Sequence, residues 1–241
     1  NLASFLRSRG RTQEALRGMS AAYKSTKRVF GDAHVKTAIV AQLLGELMAD
    51  RGRYQDAQPL FEESIAIRRK IEGDRSAAVA RTRVQLAHTL TALGDVTRSR
   101  DQLRDAVETL TAALGAEHPN TLGARMDLAN ALARCDEYEE AEKLLVELLD
   151  ACPRVLGEDD TLTIFTNNSY ALLLMKRDRL AKAEPYLRKA LDAGRRVQGV
   201  AFPADAAIAQ RVEGFPQQQV KGGGRRPRAR QPRGEPDIAE F

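Results

Sequence analysis

Tryptophan is absent from this 241-residue chain, and aromatic residues together make up only 5% of it. Strands draw on aromatic and β-branched side chains, so this scarcity, beside plentiful alanine, leucine and arginine, excludes an all-β fold and points to helices. Cysteine is nearly missing as well. Cys135 and Cys152 cannot build a disulfide framework, which predicts a reducing, cytoplasmic setting. No apolar run approaches the ~20 residues that span a bilayer, so no membrane partner is expected. Nor is there a large excess of one charge: 38 Lys and Arg face 33 Asp and Glu, a net +5 that matters only if it is concentrated somewhere. The chain opens at Asn1 without an initiator methionine, which predicts a fragment with parent-chain domains upstream. Apolar residues still make up 43%, enough for a core.

What the chain does have is a repeat. Gly31, Gly73, Gly115, Gly157 and Gly199 follow one another at a constant interval of 42 residues, as do Leu6, Met48, Leu90, Leu132 and Leu174. Small residues recur at Ala15, Ala57, Ser99, Ala141 and Ala183, and again at Ala3, Gly45, Ala87, Ala129 and Ala171. Large ones recur at Met19, Phe61, Leu103, Leu145 and Leu187, and Gly10, Gly52 and Gly94 are continued by Asp136 and Asp178. Each unit reads as two helices. In the third, Thr121 to Arg134 has helical apolar spacing, Cys135-Asp136-Glu137 breaks it, and Tyr138 to about Cys152 resumes it. Thr121 is the expected N-cap, and Gly157 is expected to take a left-handed conformation just past the second helix. Pro59 and Pro185 share one repeat position near the start of a second helix, where early N–H groups have no helical partner to lose. The small columns mark close helix crossings, where a larger side chain would push the backbones apart.

These residues carry a resemblance. Small residues at the eighth and twentieth positions of a helix pair, with large ones at the seventh and twenty-fourth, resemble the tetratricopeptide repeat. The stretch Leu114-Gly115-Ala116-Glu117-His118-Pro119-Asn120-Thr121-Leu122, followed by Asp127-Leu128-Ala129 and by Glu137 to Leu145, is similar to its 42-residue kinesin-light-chain type. The resemblance implies an all-α fold, a right-handed α-α superhelix whose first helices line a concave groove for a peptide or partner protein. Carried over residue by residue, the groove positions are Ile39, Gln42, Glu46, Ala49 and Asp50, then Arg81, Val84, His88, Thr91 and Ala92. The third repeat supplies Gly123, Met126, Asn130, Ala133 and Arg134, and the fourth Phe165, Asn168, Leu172, Met175 and Lys176. Where the family often places a peptide-clamping asparagine, this chain has Gln42, Val84, Met126 and Asn168; only Asn168 matches, with Gln42 a near substitute. Met126, Phe165 and Met175 read either as an apolar binding floor or as packing against neighbouring repeats.

The repeat predicts a partial first unit at 1–36, full units at 37–78, 79–120 and 121–162, and a last one at 163–199. An aborted repeat or capping helix is expected at 200–215, because Glu213 enters a small-residue column and Gly214-Phe215-Pro216 follows. Beyond it, 216–241 is rich in Gly, Pro, Gln and Arg, a composition that predicts disorder. Lys221, Arg225, Arg226, Arg228, Arg230 and Arg233 form either an electrostatic arm for nucleic acid or an acidic partner, or a solvated tail; the absence of interleaved aromatics favours the tail.

No catalytic, metal or cofactor constellation is expected. His34 and His118 share a repeat position two units apart and cannot share a metal, and His88 reads as a polar contact. Gly222-Gly223-Gly224 lacks the Lys-Ser/Thr and helix of a phosphate loop. The expectation is a non-enzymatic protein-protein interaction scaffold. A regulatory repeat segment of a larger kinase or NTPase stands as the alternative, and nucleic-acid or acidic-partner binding through the tail as a third reading.

Overall fold

The computed structural model describes residues 12–198, which form nine helices. These are α1 (Thr12–Phe30), α2 (Val35–Ala49), α3 (Tyr54–Glu72), α4 (Ala77–Ala92), α5 (Val96–Leu114), α6 (Pro119–Arg134), α7 (Tyr138–Leu156), α8 (Thr161–Lys176) and α9 (Leu180–Gln198). The expected opening helix fragment, the capping helix and the basic tail lie outside the described residues. Each helix packs on its neighbours in sequence, and the non-sequential helices in substantial backbone contact are first helices of successive pairs, α2 with α4 and α6 with α8. The even-numbered helices therefore line the tighter, inner side of the stack and the odd-numbered ones its wider, outer side.

Local chemistry repeats with the period. The first helix of each pair is capped at one column by three kinds of side chain. His34 Nδ1, Ser76 Oγ, His118 Nδ1 and Asp160 Oδ1 each accept the backbone N–H two residues ahead, at 3.1, 3.1, 3.1 and 2.8 Å. An imidazole can do this only with a free lone pair on Nδ1. The cap of α6 is thus His118 rather than the expected Thr121, which lies inside the first turn, fully buried. In its column Thr37 and Thr163 donate their hydroxyls to the carbonyls of Gly31 and Gly157, at 2.7 and 2.8 Å, and tie down the preceding turn.

Two kinds of turn alternate. Between first and second helices Gly52, Gly94, Asp136 and Asp178 adopt positive φ of 71, 87, 61 and 55°. The next N–H reaches back five residues to Met48, Leu90, Leu132 and Leu174, closing Schellman turns. Aspartate can replace glycine there because it tolerates the left-handed region. After the second helices Gly157 has positive φ, as expected, but its ψ of 160° puts it in a region essentially reserved to glycine. Pro59 and Pro185 lie deeper than expected, six residues into α3 and α9, so each removes one helical bond; both are exposed, which leaves the freed carbonyls beside solvent.

The small columns are the core's narrow points. Ala57, Ser99, Ala141 and Ala183 are fully buried, as are Ala87, Ala129 and Ala171. Ser99 satisfies its hydroxyl on the carbonyl of Ala87, 2.8 Å away. Gly45 faces the ring of Phe61, and a Cβ added there would lie 3.0 Å from the nearest ring carbon.

Outside the core, ion pairs reach from each second helix to the next. Lys27 of α1 meets Glu63 of α3 at 2.8 Å, and Glu62 of α3 meets Arg98 of α5 at 3.1 Å. Arg100 and Arg104 of α5 meet Glu137 and Glu140 at the start of α7, and Glu142 of α7 meets Arg179 before α9 at 2.9 Å. Glu62–Arg98 and Arg104–Glu140 occupy the same two columns with opposite signs, as do Arg100–Glu137 and Glu142–Arg179. Each such exposed pair contributes little to stability. Together they make α1, α5 and α9 the basic partners and α3 and α7 the acidic ones.

Candidate interaction surface

The columns read as groove positions lie on the first helices, and their side chains fall into two sets. In one set the polar atoms are already engaged within the chain. Gln42 Nε2 donates to Glu46 Oε1 at 2.9 Å, while its Oε1 accepts from Thr82 at 3.2 Å and from the buried Arg68 at 3.3 Å. Gln42 and Glu46 thus link α2, α3 and α4. Lys176 donates to the carbonyl of Ala133, 3.2 Å away, with its ammonium 5.8 Å from the centre of the Tyr138 ring, a cation–π distance.

Met126 packs against the buried cluster of Leu122, Leu148, Ala151 and Cys152, and Met175 against that of Ala171, Leu174, Ala183, Leu187 and Leu191. Both methionines are half-buried and take part in the inter-helix packing.

The second set is less committed. Arg81 and Arg134 are exposed and make no ion pair among the described residues, unlike Arg83 and Arg125 of the same helices, which pair with Asp105 and Glu147. Asn130 and Phe165 are half-buried on the same face. Asn168, also half-buried, has a shielded carbonyl oxygen without a hydrogen-bond partner.

His88 is joined to a residue that the sequence did not single out. Its Nε2 lies 2.8 Å from Asp127 Oδ2, bridging α4 to α6. The hydrogen bond to the carboxylate raises the imidazole pKa above its ordinary 6.5, against a smaller opposing effect of burial. The pair's contribution is therefore fully present below pH ~6.5 and fades as pH rises through the elevated folded-state pKa. With the histidine side chain 52% exposed, solvent screens that contribution. In an NMR titration Asp127→Asn is expected to bring the His88 pKa back toward 6.5. An unchanged titration would refute the pairing.

Other chemistry is sparse on this surface. Cys135 and Cys152 are free thiols; Cys152 is buried, and desolvation pushes its pKa up, away from nucleophilic character. Among the described residues no cluster of three or more His, Cys, Asp or Glu side chains could hold a metal ion, and no helix is long and apolar enough to cross a membrane.

Known proteins share this architecture. The family model for the tetratricopeptide repeat matches residues 1–70, 78–153 and 121–196. A clustered mitochondria protein homolog of Debaryomyces hansenii is 30% identical over 89 residues, covering 37% of this chain but 7% of that protein, so the chain spans a small part of such relatives. The nearly identical TPR-like repeats of a kinesin light chain from Podosopora anserina superpose with a TM-score of 0.73 at 20% identity, over 83% of this chain and 94% of theirs. YrrB, described as a TPR protein with an unusual peptide-binding site, superposes with a TM-score of 0.58 at 18% identity, over 88% and 89%. Matched along most of its length and built as a right-handed solenoid of 42-residue helix pairs, the chain belongs to the tetratricopeptide repeat family.

Proposed function

We propose that this chain is a non-enzymatic, cytoplasmic scaffold that binds a peptide or partner protein across its first-helix face. The observation that carries the reading is that Arg81 and Arg134 stand exposed on the first-helix face with no ion pair among the described residues, while Arg83 and Arg125 of the same helices are paired to Asp105 and Glu147. Asn130 and Asn168 add amide groups that can bond a backbone, Phe165, Met126 and Met175 add apolar floor, and the His88–Asp127 pair adds a polar contact. Gln42, Glu46 and Lys176 would shape the surface from within their own hydrogen bonds. YrrB's described peptide-binding site is in keeping with such a use.

Peptides selected on the intact chain by phage display test the proposal. The triple substitution Arg81→Glu, Asn130→Ala and Asn168→Ala is expected to weaken them roughly fiftyfold or more, the scale of losing one charged and two neutral hydrogen bonds, with helicity unchanged. Equal binding would move the site elsewhere. The small share of the Debaryomyces hansenii protein that is matched favours a second reading, in which these repeats are one module of a longer polypeptide and regulate what it carries.

A further inference from the structure

Between α1 and the end of α2 with its following turn lies a pocket of about 440 Å³ lined by Leu16, Arg17, Ser20, Lys24, Met48 and Arg53, with Ala21 at its rim. Its floor is apolar, from Leu16 and Met48, and its walls carry three cations.

None of the three cations is fully neutralised. Arg17 and Lys24 are exposed and make no ion pair among the described residues. Arg53, just before α3, donates through Nε to Asp56 in the first turn of that helix, at 2.7 Å, and its two terminal nitrogens make no hydrogen bond among the described residues.

The repeat shows what is missing. Arg53 shares a column with Arg179, three units later, and Arg179 receives the carboxylate of Glu142 from the preceding second helix, at 2.9 Å. The residue in Glu142's column that precedes Arg53 is Leu16. One turn along, Glu62 supplies a carboxylate to Arg98; the counterparts at the first junction are Ser20 and Asp56, the acid that holds Arg53 Nε. At the first junction Arg53 thus receives no carboxylate from the preceding helix, Asp56 engaging only its Nε, and a cavity lies at Leu16 and Ser20, where the acids of two later junctions stand. Residues 1–11 contain no Asp or Glu that could replace it.

We infer that this pocket is a carboxylate-binding site, which takes from an acidic side chain of a partner polypeptide the group that other junctions draw from their own preceding helix. The ligand's methylenes lie against Leu16 and Met48, and its carboxylate accepts from the Arg53 terminal nitrogens with Lys24 and Arg17 beside it. The site shares none of the side chains read as groove positions, so both can be occupied at once.

The probe is acetyl-Leu-Glu-Leu-amide, titrated into the full chain labelled at methionine methyls and arginine side chains, with acetyl-Leu-Gln-Leu-amide and free glutarate as parallel arms. The glutamate peptide is expected to shift Met48 and Arg53 saturably, the glutamine peptide to bind about tenfold more weakly, and Arg53→Gln to lose a similar factor. Ser20→Glu, which places the acid on α1 itself, is expected to abolish binding while Ser20→Gln keeps it. Glutarate binding as tightly as the peptide would support the pocket and assign it to free carboxylates. Equal binding of the two peptides, or affinity unmoved by both Arg53→Gln and Ser20→Glu, would overturn the inference. Inner-face substitutions such as Arg81→Glu should leave these shifts intact, so failure here and failure of the proposed peptide face are separable.

Discussion

Ala141→Leu is expected to destabilise the chain by about 3 kcal/mol, the upper end for overpacking a closed core, and to lower Tm by roughly 6–12 °C at this chain length. Ala141 is fully buried in the central cluster with Leu103, Leu128, Leu132, Leu145 and Leu173, which draws on four neighbouring helices besides its own. Three added carbons have nowhere to go unless α6 and α7 separate, and α8 packs against both. Lys143→Leu, an exposed substitution two residues along the same helix, is the control and should change stability by no more than about 0.5 kcal/mol. Thermal unfolding followed by circular dichroism decides; a Tm unchanged by Ala141→Leu would remove Ala141 from the crossing.

The architecture adds a second readout. In a stack each unit touches only its neighbours, so a fault between α6 and α7 weakens one coupling rather than the whole. The units before it, α1 to α5, retain their own buried cluster around Phe61 and Leu90. Calorimetry on Ala141→Leu should therefore show a broadened or split transition, where the unaltered chain unfolds over a narrower range.

Much of this fold was legible because the repeat says the same thing several times. A single Ala141 means little, but Ala15, Ala57, Ser99, Ala141 and Ala183 at one interval mark a crossing, and all five are buried. The break at Cys135-Asp136-Glu137 likewise falls between α6 and α7. Local rules went astray where two residues competed for one role. Thr121 has good capping chemistry, but His118 stands where Pro119 can begin the helix, and its ring nitrogen takes the cap. The candidate surface was less legible for a different reason. Whether Gln42, His88 or Lys176 is free to meet a ligand depends on Arg68, Thr82, Asp127 and Ala133, partners 26 to 43 residues away that periodicity does not point to. The cationic pocket was hidden too, since Leu16 looks ordinary until Glu142 and Arg179 show what its column does elsewhere.

Gly45 and Phe61 yield a prediction whose sign changes with its background. In the other described pairs the same two columns hold Ala87 with Leu103, Ala129 with Leu145 and Ala171 with Leu187, so the chain has exchanged one methyl for a larger ring. Gly45→Ala should recover about 1 kcal/mol of helix propensity. Against that, the new Cβ would lie 3.0, 3.1 and 3.2 Å from three ring carbons of Phe61. The ring is fully buried among Leu44, Met48, Ala57, Val79 and Leu90 and cannot yield without displacing α3, an overpacking cost of about 1–3 kcal/mol. Gly45→Ala alone is therefore expected to destabilise, by up to about 2 kcal/mol. In a Phe61→Leu background the clash disappears and the propensity gain remains, so the same Gly45→Ala should stabilise by about 1 kcal/mol. The resulting coupling, equal to the clash at about 1–3 kcal/mol, is within what double-mutant cycles on urea unfolding resolve. Additive effects would show that Phe61 can swing clear of the added methyl, and that glycine at this crossing is not required by the ring.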